Sequence, residues 1–187
     1  MKRIILGMTG ASGTVYGLRL LDVLLQTNCE VHLAVSDAWK SVAKEESGVQ
    51  ILERFTLNPN VKLYVSDNFA VPIASGSVPN DGMVIAPCSG GTLGCIAAGV
   101  NQHLIHRAAE VQLKERRRLI LLVRESPLSL IHLQNMERIT LAGGIIQPAC
   151  PCFYSGGNTN DLIDSVVART LDLLGVEHNV SCRYSCQ

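Results

Sequence analysis

Residues 3–13 read RIILGMTGASG, and this stretch sets the fold that the rest of the chain completes. An apolar run leads into a turn of small and hydroxylic residues at 10–13, and an amphipathic helical pattern begins near Val15. We therefore predict a buried strand over 3–8 and a helix over 14–26. Backbone N–H groups in such a turn, together with the helix dipole, favour a bound anion. The spacing of the glycines in this turn matches neither the dinucleotide-binding fingerprint nor the P-loop, so the predicted anion site belongs to neither of these two motifs.

The alternation of strand and helix continues along the chain. Further strands are predicted over 31–35, 61–65, 83–86, 119–123 and 145–146, helices over 37–46, 93–100, 101–113, 129–141 and 161–174, and irregular chain over 52–60, 67–80 and 148–160. Strands that alternate with helices form a mostly parallel sheet covered on both faces, so we predict a three-layer, Rossmann- or flavodoxin-like α/β fold. No linker or repeat divides the sequence, and we expect a single domain over 1–187.

Composition narrows the classes of function. Charged residues make up 17% of the chain, below the roughly 25% of a typical soluble domain, which indicates surface buried between subunits. Lys+Arg and Asp+Glu both number 16, so we expect no field that attracts nucleic acid. No run approaches the ~20 apolar residues of a membrane-spanning helix. Seven cysteines without a disulfide rhythm, and no secretory leader, predict a cytoplasmic protein.

Small, hydroxylic or charged residues follow four of the predicted strands. They are the turn at 10–13, Ser36, the turn at 88–92, and Arg124 with Glu125. Ligands of parallel α/β sheets bind outside the carboxyl ends of the strands, which is where these residues are expected to meet. We therefore predict one ligand site built from all four strand exits.

Other polar residues admit two interpretations. Arg107, Lys114, Arg124 and Arg169 are candidates to hold a second anion, although helical periodicity alone makes Arg169 an ordinary polar position. Glu46 follows Glu45 in a pair that is typical of a solvated face, and no neighbour that would raise its pKa is visible. A cysteine at 88, directly after a buried strand, is more often an apolar filler than a nucleophile. The histidines and cysteines show no metal-ligand spacing, and we expect no metal site.

Eight segments in order form a recognisable pattern: 8–13, 74–77, 87–89 with Thr92, 107–111, 113–117, 124–128, 132–136 and 151–154. In these segments the chain resembles the UbiX family of flavin prenyltransferases, nearly end to end. The run KERR at 114–117 followed by VRESP at 123–127 is the most specific part of the match. The resemblance implies a flavodoxin-like fold in a homo-oligomer, commonly a dodecamer.

The resemblance also implies an activity. Members of the family join the dimethylallyl group of dimethylallyl phosphate to N5 and C6 of reduced FMN, without a metal. The product, prenylated FMN, serves UbiD-type decarboxylases. Two alternatives stay open: an FMN-dependent cysteine decarboxylase of the phosphopantothenoylcysteine or lantibiotic type, and a non-catalytic flavin carrier.

Residue roles follow from the resemblance alone. The implied FMN-binding residues are Gly10, Ala11, Ser12, Ser36, Ser89, Gly90, Gly91, Thr92 and Arg124. The implied substrate-binding residues are Lys114, Tyr154 and Arg169, supported by Arg107 and Glu125. Phe69 and Tyr184 replace the tryptophans that relatives can carry beside the prenyl group. Glu46 matches the catalytic glutamate and Ser12 the serine near flavin N5, and we hypothesise that Glu46 relays protons between phosphate and flavin.

Overall fold

A parallel sheet of six strands forms the centre of the computed structural model, which describes residues 1–46, 49–155 and 157–180. The strands are β1 (Arg3–Met8), β2 (Glu30–Val35), β3 (Val61–Tyr64), β4 (Gly82–Cys88), β5 (Leu119–Val123) and β6 (Ile145–Pro148). Their order is β3-β2-β1-β4-β5-β6, and every pairing is parallel. The order reverses between β1 and β4, which is where doubly wound sheets open a ligand crevice.

Helices cover both faces of the sheet. They are α1 (Thr14–Gln26), α2 (Asp37–Glu45), α3 (Val49–Thr56), α4 (Gly90–Ala97), α5 (Leu104–Lys114), α6 (Leu130–Leu141) and α7 (Thr159–Leu174), with short 3₁₀ turns at Pro72–Ala74 and Phe153–Ser155. α1, α2, α3 and α7 pack on one face, and α4, α5 and α6 pack on the other. The predicted three-layer α/β architecture is therefore confirmed. Within the described residues, no helix is both long and apolar enough to cross a membrane.

The sequence of β1 explains why the sheet has two covered faces. Ile4, Leu6 and Met8 pack into the core beneath α1 and α7, whereas Ile5 packs into the core beneath α5. Successive side chains of a strand point to opposite faces, so a continuous apolar run is suited to a strand that is buried on both sides. All four of these side chains are fully buried.

The prediction of irregular chain over 52–60 is wrong, because α3 occupies Val49–Thr56. Leu52 and Phe55 of this helix pack against the core beneath α1. Such a short helix offers only about two turns of periodicity, and its charged neighbours mask the apolar face in the sequence. Packing against the core, rather than the local sequence pattern, therefore makes this segment helical.

Gly17 provides a direct test of how α1 packs on β4. A Cβ atom at this position would lie 2.2 Å from the backbone oxygen of Ala86, which a side-chain rotation cannot relieve. We expect Gly17→Ala to lower the free energy of unfolding by about 2 kcal/mol, measured by urea denaturation. Gly94→Ala is the matched control, because this helical glycine would meet only Asn135 Nδ2 at 3.5 Å. Equal stability of the two variants would contradict this packing.

Candidate active site

The turn after β1 is built on two glycines. A Cβ at Gly10 would lie 2.5 Å from the Cβ of Ala38, so the turn is pressed against the first turn of α2. Gly13 has a φ of 97°, in the left-handed region that favours glycine. The chain can therefore reverse directly from β1 into α1 and leave the first N–H groups of the helix facing outward.

The carboxylate of Glu46 occupies the N-terminus of α1. Its oxygens accept hydrogen bonds from Gly13 N at 3.0 and 3.1 Å, from Thr14 N at 2.8 Å and from Thr14 Oγ1 at 2.7 Å. Ser12 adds a side-chain hydrogen bond to the same carboxylate. Gly13 has no side chain with which to cap the helix, so a carboxylate 33 residues away in sequence does so. A carboxylate of the chain itself therefore satisfies the first N–H groups of α1.

The pKa of Glu46 is lowered from its ordinary value. Partial burial raises this pKa, but hydrogen bonds from Thr14, Ser12 and the backbone of Thr14 and Gly13 together outweigh burial and lower it. Glu46 is therefore ionised at neutral pH. Helical periodicity could not reveal this role, because the contact joins the end of α2 to the start of α1.

Hydroxyl groups tie the other strand exits together. Thr9 Oγ1 donates to the carbonyl of Pro87 at 2.9 Å and accepts from Ser89 N at 3.0 Å, so one side chain joins the ends of β1 and β4. Ser89 caps α4 by accepting from Thr92 N at 3.3 Å. Ser36 caps α2 by accepting from Trp39 N at 3.1 Å, as the sequence predicts.

The start of α4 lies beside two titratable side chains. His132 Nε2 is 2.7 Å, and Glu125 Oε2 is 3.4 Å, from the place that a Cβ on Gly90 would occupy. His132 Nδ1 accepts from Ser129 N at 3.2 Å, which assigns the proton of the neutral ring to Nε2. Gly90 and Gly91 open the helix, so their N–H groups have no acceptor within it. The sequence did not single out His132, although its place three residues after Ser129 fits a capping box.

Two of the candidate arginines, Arg124 at this edge and Arg169 on α7, form no ion pair among the described residues. Arg124 directly follows β5, and its Cγ lies 3.9 Å from the place that a Cβ on Gly13 would occupy. Its charge lowers the pKa of the Tyr16 phenol, although burial outweighs it and raises that pKa overall. Arg169, exposed on α7, lies close enough to Tyr154 to act on that phenol electrostatically. By contrast, Arg19 on α1 is paired with Asp164.

Lys114 and Arg107 do not join this group within one chain. Lys114 ends α5 and pairs with Glu115 at 2.5 Å, on the side of the sheet where β5 begins. β5 separates Lys114 from Arg124 by roughly 16 Å at the usual rise of a strand. Arg107 pairs with Glu110 at 2.8 Å and donates through Nε to the carbonyl of Ala74 at 3.2 Å.

The remaining candidates are placed less centrally. Phe69 is half-exposed in the loop after β3, and Tyr184 lies outside the described residues. Cys88 is fully buried, and burial strongly raises the pKa of its thiol, which disfavours a nucleophilic role. No group of three or more potential metal ligands occurs in the part of the chain that the structure describes.

Comparison with known proteins first gives the class: the family model described as Flavoprotein matches residues 1–171. A flavin prenyltransferase UbiX from Aquifex aeolicus is 46% identical over 187 residues, covering 98% of this chain and 99% of the relative. A UbiX structure in complex with FMN and dimethylallyl pyrophosphate has a TM-score of 0.91 at 40% identity, covering 100% of this chain and 98% of the other. A dodecameric FMN-dependent UbiX-like decarboxylase from Escherichia coli O157:H7 has a TM-score of 0.91 at 38% identity, covering 98% and 100%. The chain therefore belongs to the UbiX family of flavin prenyltransferases.

The contacts of Glu46 give a pH-dependent stability. Its folded pKa lies below the ordinary glutamate value of 4.5, so the ionised carboxylate stabilises the fold above pH 4.5, and this stabilisation is lost as the pH falls through the folded pKa. We expect Glu46→Gln to lower the free energy of unfolding by about 1 kcal/mol at pH 7, the usual magnitude for a helix cap. The difference from wild type should shrink as denaturation is repeated toward pH 3. A difference that stays constant over this range would show that the charge is not involved.

Proposed function

We propose that this chain transfers the dimethylallyl group of dimethylallyl phosphate to N5 and C6 of reduced FMN and releases prenylated FMN. The observation that carries the proposal is the meeting, at the start of α1, of the ionised carboxylate of Glu46 and of Arg124, which forms no ion pair within the described residues. This combination fits the transfer of a group away from a phosphate, because cations stabilise the leaving anion and the carboxylate takes up a proton.

The residues at the strand exits fit FMN as a substrate. The start of α1 holds the carboxylate of Glu46, and Gly90 and Gly91 offer further N–H groups at the start of α4, where an anion is favoured. We infer that Gly10, Ala11, Ser12, Ser36, Ser89, Gly90, Gly91, Thr92 and Arg124 hold the flavin nucleotide. Reduced FMN supplies the nucleophilic atoms that receive the prenyl group.

The phosphate of the prenyl donor belongs, in this proposal, beside Arg169 and Tyr154. A guanidinium can hold two phosphate oxygens at once, and a phenol donates one further hydrogen bond. Charge that develops on the leaving phosphate is then met by groups already in place. In this proposal Phe69 and Tyr184 supply aromatic surface for the prenyl group, and Glu125 supports the polar side of the pocket.

Glu46 and Ser12 are the proposed catalytic residues. The Glu46 carboxylate accepts a proton at Oε2 while the new bond forms and gives it up to the departing phosphate. The Ser12 hydroxyl, which hydrogen-bonds to this carboxylate, keeps it oriented toward the flavin side of the turn. Since hydrogen bonds hold the pKa of Glu46 below its ordinary value, the residue begins the cycle as a base.

Lys114 and Arg107 reach the site in this proposal from another subunit of a homododecamer. Lys114 lies on the side of the sheet opposite to Arg124, and Arg107 is held within its own chain by Glu110 and by the carbonyl of Ala74. α6 and the residue before its cap present a largely exposed apolar surface that a second copy can cover: Leu128, Leu130, Ile131, Leu133 and Leu141. The dodecameric relative described above has the same architecture.

We also propose a UbiD-type decarboxylase as the recipient of the product, and a cytoplasmic location. Prenylated FMN is a cofactor of such enzymes, so release into the compartment that they share is required. No disulfide joins the described cysteines, which suits a reducing compartment.

Anaerobic incubation with reduced FMN and dimethylallyl phosphate tests the activity. Mass spectrometry of the extracted flavin should show a mass increase of one C5H8 unit, with release of one inorganic phosphate per flavin. Glu46→Gln should reduce turnover by on the order of 10²-fold, because proton transfer loses its acceptor. Binding of FMN by this variant should change little. A flavin carrier would release no phosphate, and a cysteine decarboxylase would instead release carbon dioxide from a peptidyl or pantothenoyl cysteine.

Mixed oligomers test whether Lys114 acts across a subunit boundary. Lys114→Ala and Arg124→Ala should each be inactive, yet co-expression should restore roughly a quarter of wild-type activity, because random mixing leaves some sites with both residues intact. Glu46→Gln with Arg124→Ala is the control, since both residues adjoin Gly13 of one chain and no mixture can restore them to one site. Absence of recovery in the Lys114 mixture would place Lys114 outside the site.

A further inference from the structure

Arg117, which lies between α5 and β5, is bonded to the loop that precedes β4. Its Nη1 donates to the carbonyl of Val78 at 2.9 Å, and its Nη2 donates to the carbonyl of Gly76 at 2.6 Å. The side chain is only 21% exposed. One planar guanidinium therefore spans two carbonyls that lie two residues apart, and it fixes the conformation of the turn at 76–78.

The turn at 76–78 lies against the ion pair of Lys114 and Glu115. A Cβ atom on Gly76 would lie 2.7 Å from Lys114 Nζ and 2.2 Å from Glu115 Oε1, so both charged groups contact the backbone of the turn. Gly76 permits this contact because it has no side chain. Lys114 Nζ itself lies 2.5 Å from Glu115 Oε1. The position of the Lys114 ammonium group therefore depends on where the turn is held.

Arg117 is the residue that holds this part of the loop. Among the described residues, no other group donates a hydrogen bond to the carbonyls of Gly76 and Val78. Arg107 also binds the loop, but its Nε donates to the carbonyl of Ala74 at 3.2 Å, before the turn begins. Removal of the Arg117 side chain therefore frees the turn next to Lys114 and leaves the start of the loop attached to α5.

We propose that Arg117 is a positioning residue for the phosphate of the prenyl donor: it holds the turn at 76–78 against Lys114 and so keeps the ammonium group in place before the phosphate binds. This inference rests on the proposed function for the role of Lys114. A lysine side chain is long and flexible, so a position fixed in advance lowers the entropy that binding must overcome.

Arg117 also compensates the carboxylate that the phosphate displaces. A phosphate ester carries more negative charge than a carboxylate, so it competes with Glu115 for the Lys114 ammonium group. Arg117 Nη2 lies 4.0 Å from Glu115 Oε2, which leaves a cation beside Glu115 after Lys114 has changed partner. The exchange therefore leaves no carboxylate without a nearby positive charge.

Calorimetry measures the inference without turnover. The titrant is dimethylallyl phosphate and the sample is the oligomer loaded with oxidised FMN. Arg117→Ala should raise the dissociation constant about tenfold, because the turn and Lys114 must then be ordered on binding. Arg117→Lys should raise it about threefold, since a lysine lacks the planar fork that spans both carbonyls.

Arg116→Ala is the matched control for the loss of charge. Arg116 is exposed, and its side chain makes no hydrogen bond or ion pair within the described residues. The variant removes the same charge from the same segment without freeing the turn, so it should bind dimethylallyl phosphate within twofold of wild type. An equal loss in Arg116→Ala and Arg117→Ala would show that charge alone, and not the position of the turn, matters.

Gly76→Ala tests the same contact from the loop. The added methyl group would displace Lys114 Nζ and Glu115 Oε1, which both end flexible side chains, so the fold itself should be preserved. We expect a loss of affinity similar to that of Arg117→Ala, with the midpoint of urea denaturation unchanged. Arg117→Ala in the Gly76→Ala background should change the dissociation constant by less than twofold, because Lys114 is already displaced.

Steady-state kinetics separate positioning from a merely structural effect. Arg117→Ala should raise the KM for dimethylallyl phosphate, while kcat and FMN affinity stay within twofold of wild type. Unchanged binding by Arg117→Ala, or additive losses in the double variant with Gly76→Ala, would overturn the inference. Binding that depends on Arg117 without formation of prenylated flavin would instead refute the proposed function alone.

Discussion

The first N–H groups of α1 require an acceptor, and the carboxylate of Glu46 supplies it. This one contact fixes the end of α2 against the start of α1 and brings a negative charge to the carboxyl edge of the sheet. The turn that leads into α1 passes close to α2, so there is no room for a side chain at Gly10. Gly13 has the left-handed conformation that favours glycine. The catalytic proposal therefore assigns the role of base to the same group that completes the helix.

The ion pairs of the basic side chains indicate which of them can bind an anionic ligand at the carboxyl edge of the sheet. Most described basic side chains at the sheet ends are paired with carboxylates or carbonyls, as with Arg19 and Lys114. Arg124 forms no such pair among the described residues, and a cation without a partner at a ligand edge is suited to bind an anion. A parallel sheet makes this arrangement possible, because strands far apart in sequence end at the same side.

Local sequence signals predicted the strands, most helices and the two small-residue turns correctly. Each depends on neighbours in sequence: apolar runs for strands, and hydroxyl caps such as Ser36 and Ser89 for helices. What escaped prediction depends on contacts across the fold. α3 is held by packing of Leu52 and Phe55, and the role of Glu46 at α1 comes from a residue 33 positions away. The placement of Lys114 likewise follows from topology, which periodicity cannot supply.

The side chain of Thr9 links the loops after β1 and β4 by accepting from one backbone group and donating to another. Two loops that face a ligand are usually free to sample many conformations, and closing on the ligand then freezes that motion. In this fold the buried hydroxyl of Thr9 restricts the motion of both loops during folding, before any ligand binds. Binding of the nucleotide therefore loses little free energy to the ordering of these two loops.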